Sequence, residues 1–158
     1  MLPPQVALAW LGPAYLLLMT LPLAFIDIRQ RRLPNKIVLP GLAITLVGQV
    51  LAVFAGAQWQ QLAVAWVTAT LVFALAAAAN YFGALGMGDV KLMALMTASL
   101  AWFGWQHPLI AFFVAFVLAT IGVLVLFVAK RAKLGTTVAL GPYLLAGFAV
   151  AATGLAWS

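Results

Sequence analysis

Apolar stretches on the scale of a bilayer crossing recur six times in this sequence, and the polar connections between them are only a few residues long. A hydrocarbon core of about 30 Å takes about 20 helical residues to cross. The stretches fall at residues 6–26, 37–55, 62–82, 90–103, 108–129 and 137–157, the fourth being the shortest and starting beside Asp89 and Lys91. Hydrophobic residues make up 67% of the chain and charged ones 6%, against roughly a quarter charged in a soluble domain. Lipid offers the backbone no hydrogen-bond partner, so each crossing has to satisfy its own N–H and C=O groups as helix. The expected fold is an all-α integral membrane protein, a bundle of about six transmembrane helices forming a single polytopic domain over residues 1–158. The first stretch has no basic run ahead of it and the first cation is Arg29, so it reads as a retained span and not as a removable signal peptide.

The cations sort by connection. Arg29, Arg31, Arg32 and Lys36 follow the first span, Lys91 opens the fourth, and Lys130, Arg131 and Lys133 follow the fifth. The other two connections, around 58–61 and 105–107, carry no formal charge. Basic connections remain on the cytoplasmic side, which places both termini on the opposite side. The net charge of +6 is thereby explained by topology and by contact with anionic lipid, and nucleic acid is not an expected partner. Trp59, Trp102, Trp105 and Trp157 lie near outer span ends and read as an interfacial belt.

Several chemistries are excluded. The chain has no cysteine, which removes disulfides, thiolate metal sites and thiol nucleophiles. Its single histidine, His107, has no second His or Cys to share a metal, and metal sites need several ligands. No cofactor and no metal are expected.

What is left is acid. The chain has two acidic residues, Asp27 and Asp89, and carboxylates in or beside spans are costly enough to point to function. The topology puts both at the cytoplasmic face, Asp27 at the end of the first span and Asp89 at the start of the fourth. Backbone irregularities gather there too. Pro34 disfavours helix in the residue before it. Gly83, Gly86 and Gly88 weaken the helix ahead of Asp89 and allow close approach. Gly141 and Pro142 form a break just inside the sixth span, of the sort tolerated where backbone lines a polar cavity.

The runs Asp27-Ile28-Arg29-Gln30-Arg31-Arg32-Leu33-Pro34-Asn35, Gly86-Met87-Gly88-Asp89-Val90-Lys91-Leu92 and Gly141-Pro142-Tyr143-Leu144 together resemble the type IV prepilin peptidases, membrane aspartyl proteases with a Gly-x-Gly-Asp motif. The resemblance covers nearly the whole chain. Two positions depart from it: Asn35 stands where many members have aspartate, and Leu140 where many have phenylalanine. It implies that Asp27 and Asp89 are the catalytic pair and that the substrate is a prepilin or pilin-like precursor, cut at its basic leader. It also implies a bacterial inner-membrane location with the active site facing the cytoplasm. Bifunctional members also methylate the new N-terminus and carry a cysteine-bearing cytoplasmic domain, so methylation is not expected of this cysteine-free chain.

Two carboxylates that share one proton can hydrolyse a peptide bond, one activating water and the other protonating the carbonyl oxygen. Asp27 would stand at the C-terminal end of its helix and Asp89 at the N-terminal end of another. The helix dipole then assigns the shared proton to Asp27. Gly86, Gly88, Gly141 and Pro142 are expected to offer backbone to an extended substrate, with Lys91 and Arg29 as electrostatic support. Residues 89 and 91 do not share a helix face, so they are not expected to pair directly. The alternatives are a proton-coupled transporter, which would hold its acids nearer the bilayer midplane and show a repeat between halves, and a catalytically inactive pilus-assembly factor. An aspartate that merely caps a helix or pairs with a cation is the plain structural alternative.

Overall fold

The computed structural model describes residues 3–30, 33–129 and 139–155, and among these every regular element is a helix. In chain order they are α1 (Pro4–Ala9), α2 (Leu11–Gln30), α3 (Asn35–Phe54), α4 (Trp59–Tyr81), α5 (Met87–Ala101), α6 (Gln106–Val128) and α7 (Gly141–Leu155). Four segments, Pro4–Gln30, Asn35–Phe54, Trp59–Tyr81 and Gln106–Val128, are long and apolar enough to cross a bilayer. The first is interrupted at Trp10, between α1 and α2. Pro13 explains the interruption, since it has no N–H for the Ala9 carbonyl and its ring crowds that carbonyl.

The two short helices depart most from the sequence reading. The fourth apolar stretch looked weak, yet α5 is the centre of the bundle, with every residue from Leu92 to Ala101 buried. Helices α2, α3, α4, α6 and α7 all pack against it. A helix walled in by neighbours answers to them and not to lipid, so it can be short. Helix α7 begins at Gly141, so Gly141 and Pro142 form the start of that helix and not a break inside it. Proline fits there because first-turn N–H groups have no helical acceptor.

Packing follows small residues. Gly147 of α7 lies directly on the Ala111 carbonyl and Ala115 of α6, so these helices meet nearly backbone to backbone. Large apolar side chains such as Leu18, Leu75, Phe113 and Val128 point outward, as a lipid-facing surface requires. Inside, a polar string crosses the apolar core. The Gln49 side chain donates to the Ala98 carbonyl at 2.8 Å and accepts from the Trp66 indole at 2.8 Å, and the Thr45 and Ser99 hydroxyls meet at 3.3 Å. Trp102, expected at the interface, is buried at 5% exposure in a cluster with Ala9, Ala52 and Ala65. Trp59 and Trp105 are exposed, while Trp157 and the cations at 31, 32, 130, 131 and 133 lie outside the described residues.

Candidate active site

The three sequence runs meet at one end of the bundle. Asp27 sits in the last turn of α2 and is 4% exposed. One carboxylate oxygen, Oδ2, accepts the Gly141 backbone N–H at 3.1 Å. That N–H is one of the free donors at the start of α7, so the positive end of α7 points at Asp27. Leu33, from the Leu-Pro pair, is buried against Gly88: a Cβ built on Gly88 would lie 3.0 Å from Leu33 Cβ and 3.1 Å from its backbone nitrogen. Each contact joins segments far apart in sequence.

Asp89 is the third residue of α5, whose N-cap is Gly86. It precedes the apolar run of α5 and lies outside the four long spans. The carboxylate turns back toward the cap, Oδ2 lying 3.2 Å from where a Gly86 Cβ would be. Partial burial, and then the charge of Asp27, pushes the Asp89 carboxyl up to about 6, against the lowering effect of the Gly86 backbone N–H. The two aspartates thus feel each other electrostatically, and both line one cavity of about 410 Å³ together with Leu33, Gly88 and Lys91.

A second cavity of about 400 Å³ adjoins the first. It shares Gly86 and Asp89 with the first and is otherwise lined by the turn from Gly83 to Leu85, by α6 and by the approach to and start of α7, including Tyr143. Asp89 therefore borders a charged cavity and an apolar one. Among the described residues no group of three His, Cys, Asp or Glu side chains gathers to hold a metal ion.

Residues 14–126 match the type IV leader peptidase family. The chain belongs to that family. It is also 34% identical over 132 residues to a prepilin leader peptidase/N-methyltransferase of Pseudomonas putida, an alignment covering 78% of this chain and 43% of that protein. The chain thus spans less than half the length of this curated relative. No solved structure matches it. The family match takes in Asp27 and the Gly-x-Gly-Asp run but ends before Gly141 and Pro142, whose place at the site rests on the Asp27 hydrogen bond.

The residues around the two aspartates make contacts of their own. Lys91 donates to the Asn35 side-chain oxygen at 2.9 Å, which ties α5 to the start of α3 and keeps the ammonium in the wall of the first cavity. Arg29 lies over the Phe25 ring, 4.3 Å from its centroid, and does not line either cavity at Asp89. Gly88 lies against Leu33 while lining the first cavity, and Asp27 takes the N–H of Gly141. Pro142 has no N–H to offer. Sequence reasoning missed Asn80, whose side chain donates to the Leu85 carbonyl at 2.6 Å just ahead of Gly86. Its one visible signal was a lone amide at the end of an apolar span.

Proposed function

We propose that this protein is a membrane aspartic endopeptidase that removes the leader from prepilin or pilin-like precursors, with Asp27 and Asp89 as its catalytic pair. The observation that carries this reading is that the chain's two acids, 62 residues apart, line one cavity with the family's Gly-x-Gly-Asp run. The name of the Pseudomonas putida relative supplies the substrate class, and the proposal is confined to the peptidase part of that name. Both acids lie within one turn of a helix end, which suits a substrate presented at the membrane boundary. A transporter relaying protons would hold them deeper.

Water placed between the carboxylates gives up a proton to the ionised one as its oxygen attacks the scissile carbonyl carbon, and the protonated one donates to the carbonyl oxygen. Collapse of the tetrahedral intermediate returns a proton to the departing nitrogen, breaks the C–N bond and restores one proton to the pair. The helix-end argument gave that proton to Asp27. In the structure each aspartate faces a helix N-terminus, Asp27 that of α7 and Asp89 that of its own helix. The dipole asymmetry is therefore largely cancelled, and the proton is best written as belonging to the pair. The basic connections support a site that faces the cytoplasm.

Membranes carrying the protein should shorten a pilin-like precursor by its leader, and Asp27→Asn and Asp89→Asn should each abolish the shortening while inserting normally. Cleavage that persists in either variant overturns the proposal.

A further inference from the structure

Helix α4 ends in a tight turn. The Gly83 N–H bonds the Asn80 carbonyl at 2.9 Å, the Ala84 N–H bonds the Ala79 carbonyl at 2.9 Å, and Gly83 adopts φ +75°. This is a common way to stop a helix with glycine in the left-handed region. One further bond is not needed for the stop: the Asn80 side chain reaches past the turn to the Leu85 carbonyl at 2.6 Å. A carbonyl only accepts, so the amide nitrogen is the donor.

The Leu85 carbonyl and the Gly86 N–H belong to one rigid peptide group. Asp89 Oδ2 lies 3.2 Å from where a Gly86 Cβ would be, which puts the carboxylate beside this peptide, and the Gly86 N–H lowers the Asp89 carboxyl pKa. We propose that Asn80 is a positioning residue for Asp89: by gripping the carbonyl side of the Leu85–Gly86 peptide, its amide fixes the N–H side against the carboxylate. The plane of that peptide sets where Gly86 aims its donor, and Gly86 lines both cavities. Hydrogen bonds in series also polarise one another. The bond from Asn80 draws electron density toward the Leu85 oxygen and makes the Gly86 N–H a stronger donor to a negative Asp89.

An amide that only closed a turn would bond the helix's own last carbonyls. This one bonds the carbonyl of the unit that touches the acid. The other ionisable groups lining the cavities around Asp89 are Asp27 from α2, Lys91 from α5 itself and Tyr143 from α7, while α4 and α6 bring none. Asn80 thus acts on Asp89 through backbone alone.

The inference rests on Asp89 being half of a catalytic pair, but it can be read without catalysis. The chain has only two acidic residues, both aspartate, so protein labelled with carboxyl-¹³C aspartate gives two side-chain carboxyl signals, assigned with Asp27→Asn. Asn80→Leu, which keeps the shape and loses the donor, should raise the Asp89 titration midpoint by about half a pH unit, the size expected for weakening one hydrogen bond to a charged group. Asn80→Gln, which retains the amide on a longer stem, should recover part of the shift. Gln49→Ala, which loosens the bundle but lines neither cavity at Asp89, should leave the midpoint in place. Cleavage by Asn80→Leu should show kcat lowered about tenfold at unchanged KM, as for a catalytic group held slightly off position. If Asn80→Leu does not insert, Asn80→Ala serves in its place. An Asp89 midpoint that stays at the wild-type value without the amide, or moves equally in Gln49→Ala, overturns the proposal. Absence of cleavage by the wild type, with the midpoint shift intact, counts instead against the peptidase reading.

Discussion

At the residue scale the site depends on two glycines used as contact surfaces. A Cβ on Gly141 would lie 2.5 Å from Asp27 Oδ2 and 2.9 Å from its carboxyl carbon, so Gly141→Ala forces Asp27 or the start of α7 to move. Cleavage should fall at least about tenfold, because catalytic geometry tolerates displacements of well under 1 Å. The folded protein should lose about 1–3 kcal/mol, the usual cost of overpacking a tight site. Initial cleavage rates, set beside the unfolding midpoint in detergent, separate the two effects. Both aspartates and the Gly-x-Gly spacing were legible in the sequence, because acids are so scarce there that position alone marks them. The Gly141 N–H on Asp27 was not, since it joins residues 114 apart and a backbone donor leaves no trace in side-chain identity. Asn80 was hidden for a related reason: it acts on a carbonyl, and any residue could have supplied that carbonyl.

At the scale of helices, the sequence carried the length and apolar character of α2, α3, α4 and α6 but undervalued α5. Apolar length measures fit to lipid, and α5 is fitted to other helices, so its 15 residues are enough. The polar string through α3, α4 and α5 was also out of reach, because Gln49 and Thr45 look like minor polar interruptions of an apolar span until their partners are known. Gln49 is fully buried and holds both the Trp66 indole and the Ala98 carbonyl. Replacing it with alanine leaves the half-buried Trp66 indole N–H without this partner and empties a buried site, at a cost of about 1–3 kcal/mol. Gln49 lines neither cavity at Asp89. Denaturant titration of Gln49→Ala in detergent micelles should therefore show reduced stability, while cleavage per folded molecule is unchanged.

At the scale of the whole molecule, the bundle brings together at one end segments that the sequence keeps apart. The end of α2, the start of α5 and the start of α7 converge there, with Leu33 against Gly88 and Asn35 bonded to Lys91 tying the start of α3 to α5. Topology had placed both acids on one membrane face without showing that their helices pack, and that packing is what the fold adds. The chain's freedom from cysteine makes the claim directly measurable. In membranes, the double variant Asp27→Cys with Asp89→Cys should be joined within one chain by a short thiol-specific crosslinker. Each single variant, and a pair combining Asp89→Cys with Gln5→Cys near the other end of the bundle, should give no such product. Failure of the 27–89 pair to crosslink while both cysteines react with a monofunctional reagent would contradict the account of one shared two-aspartate site.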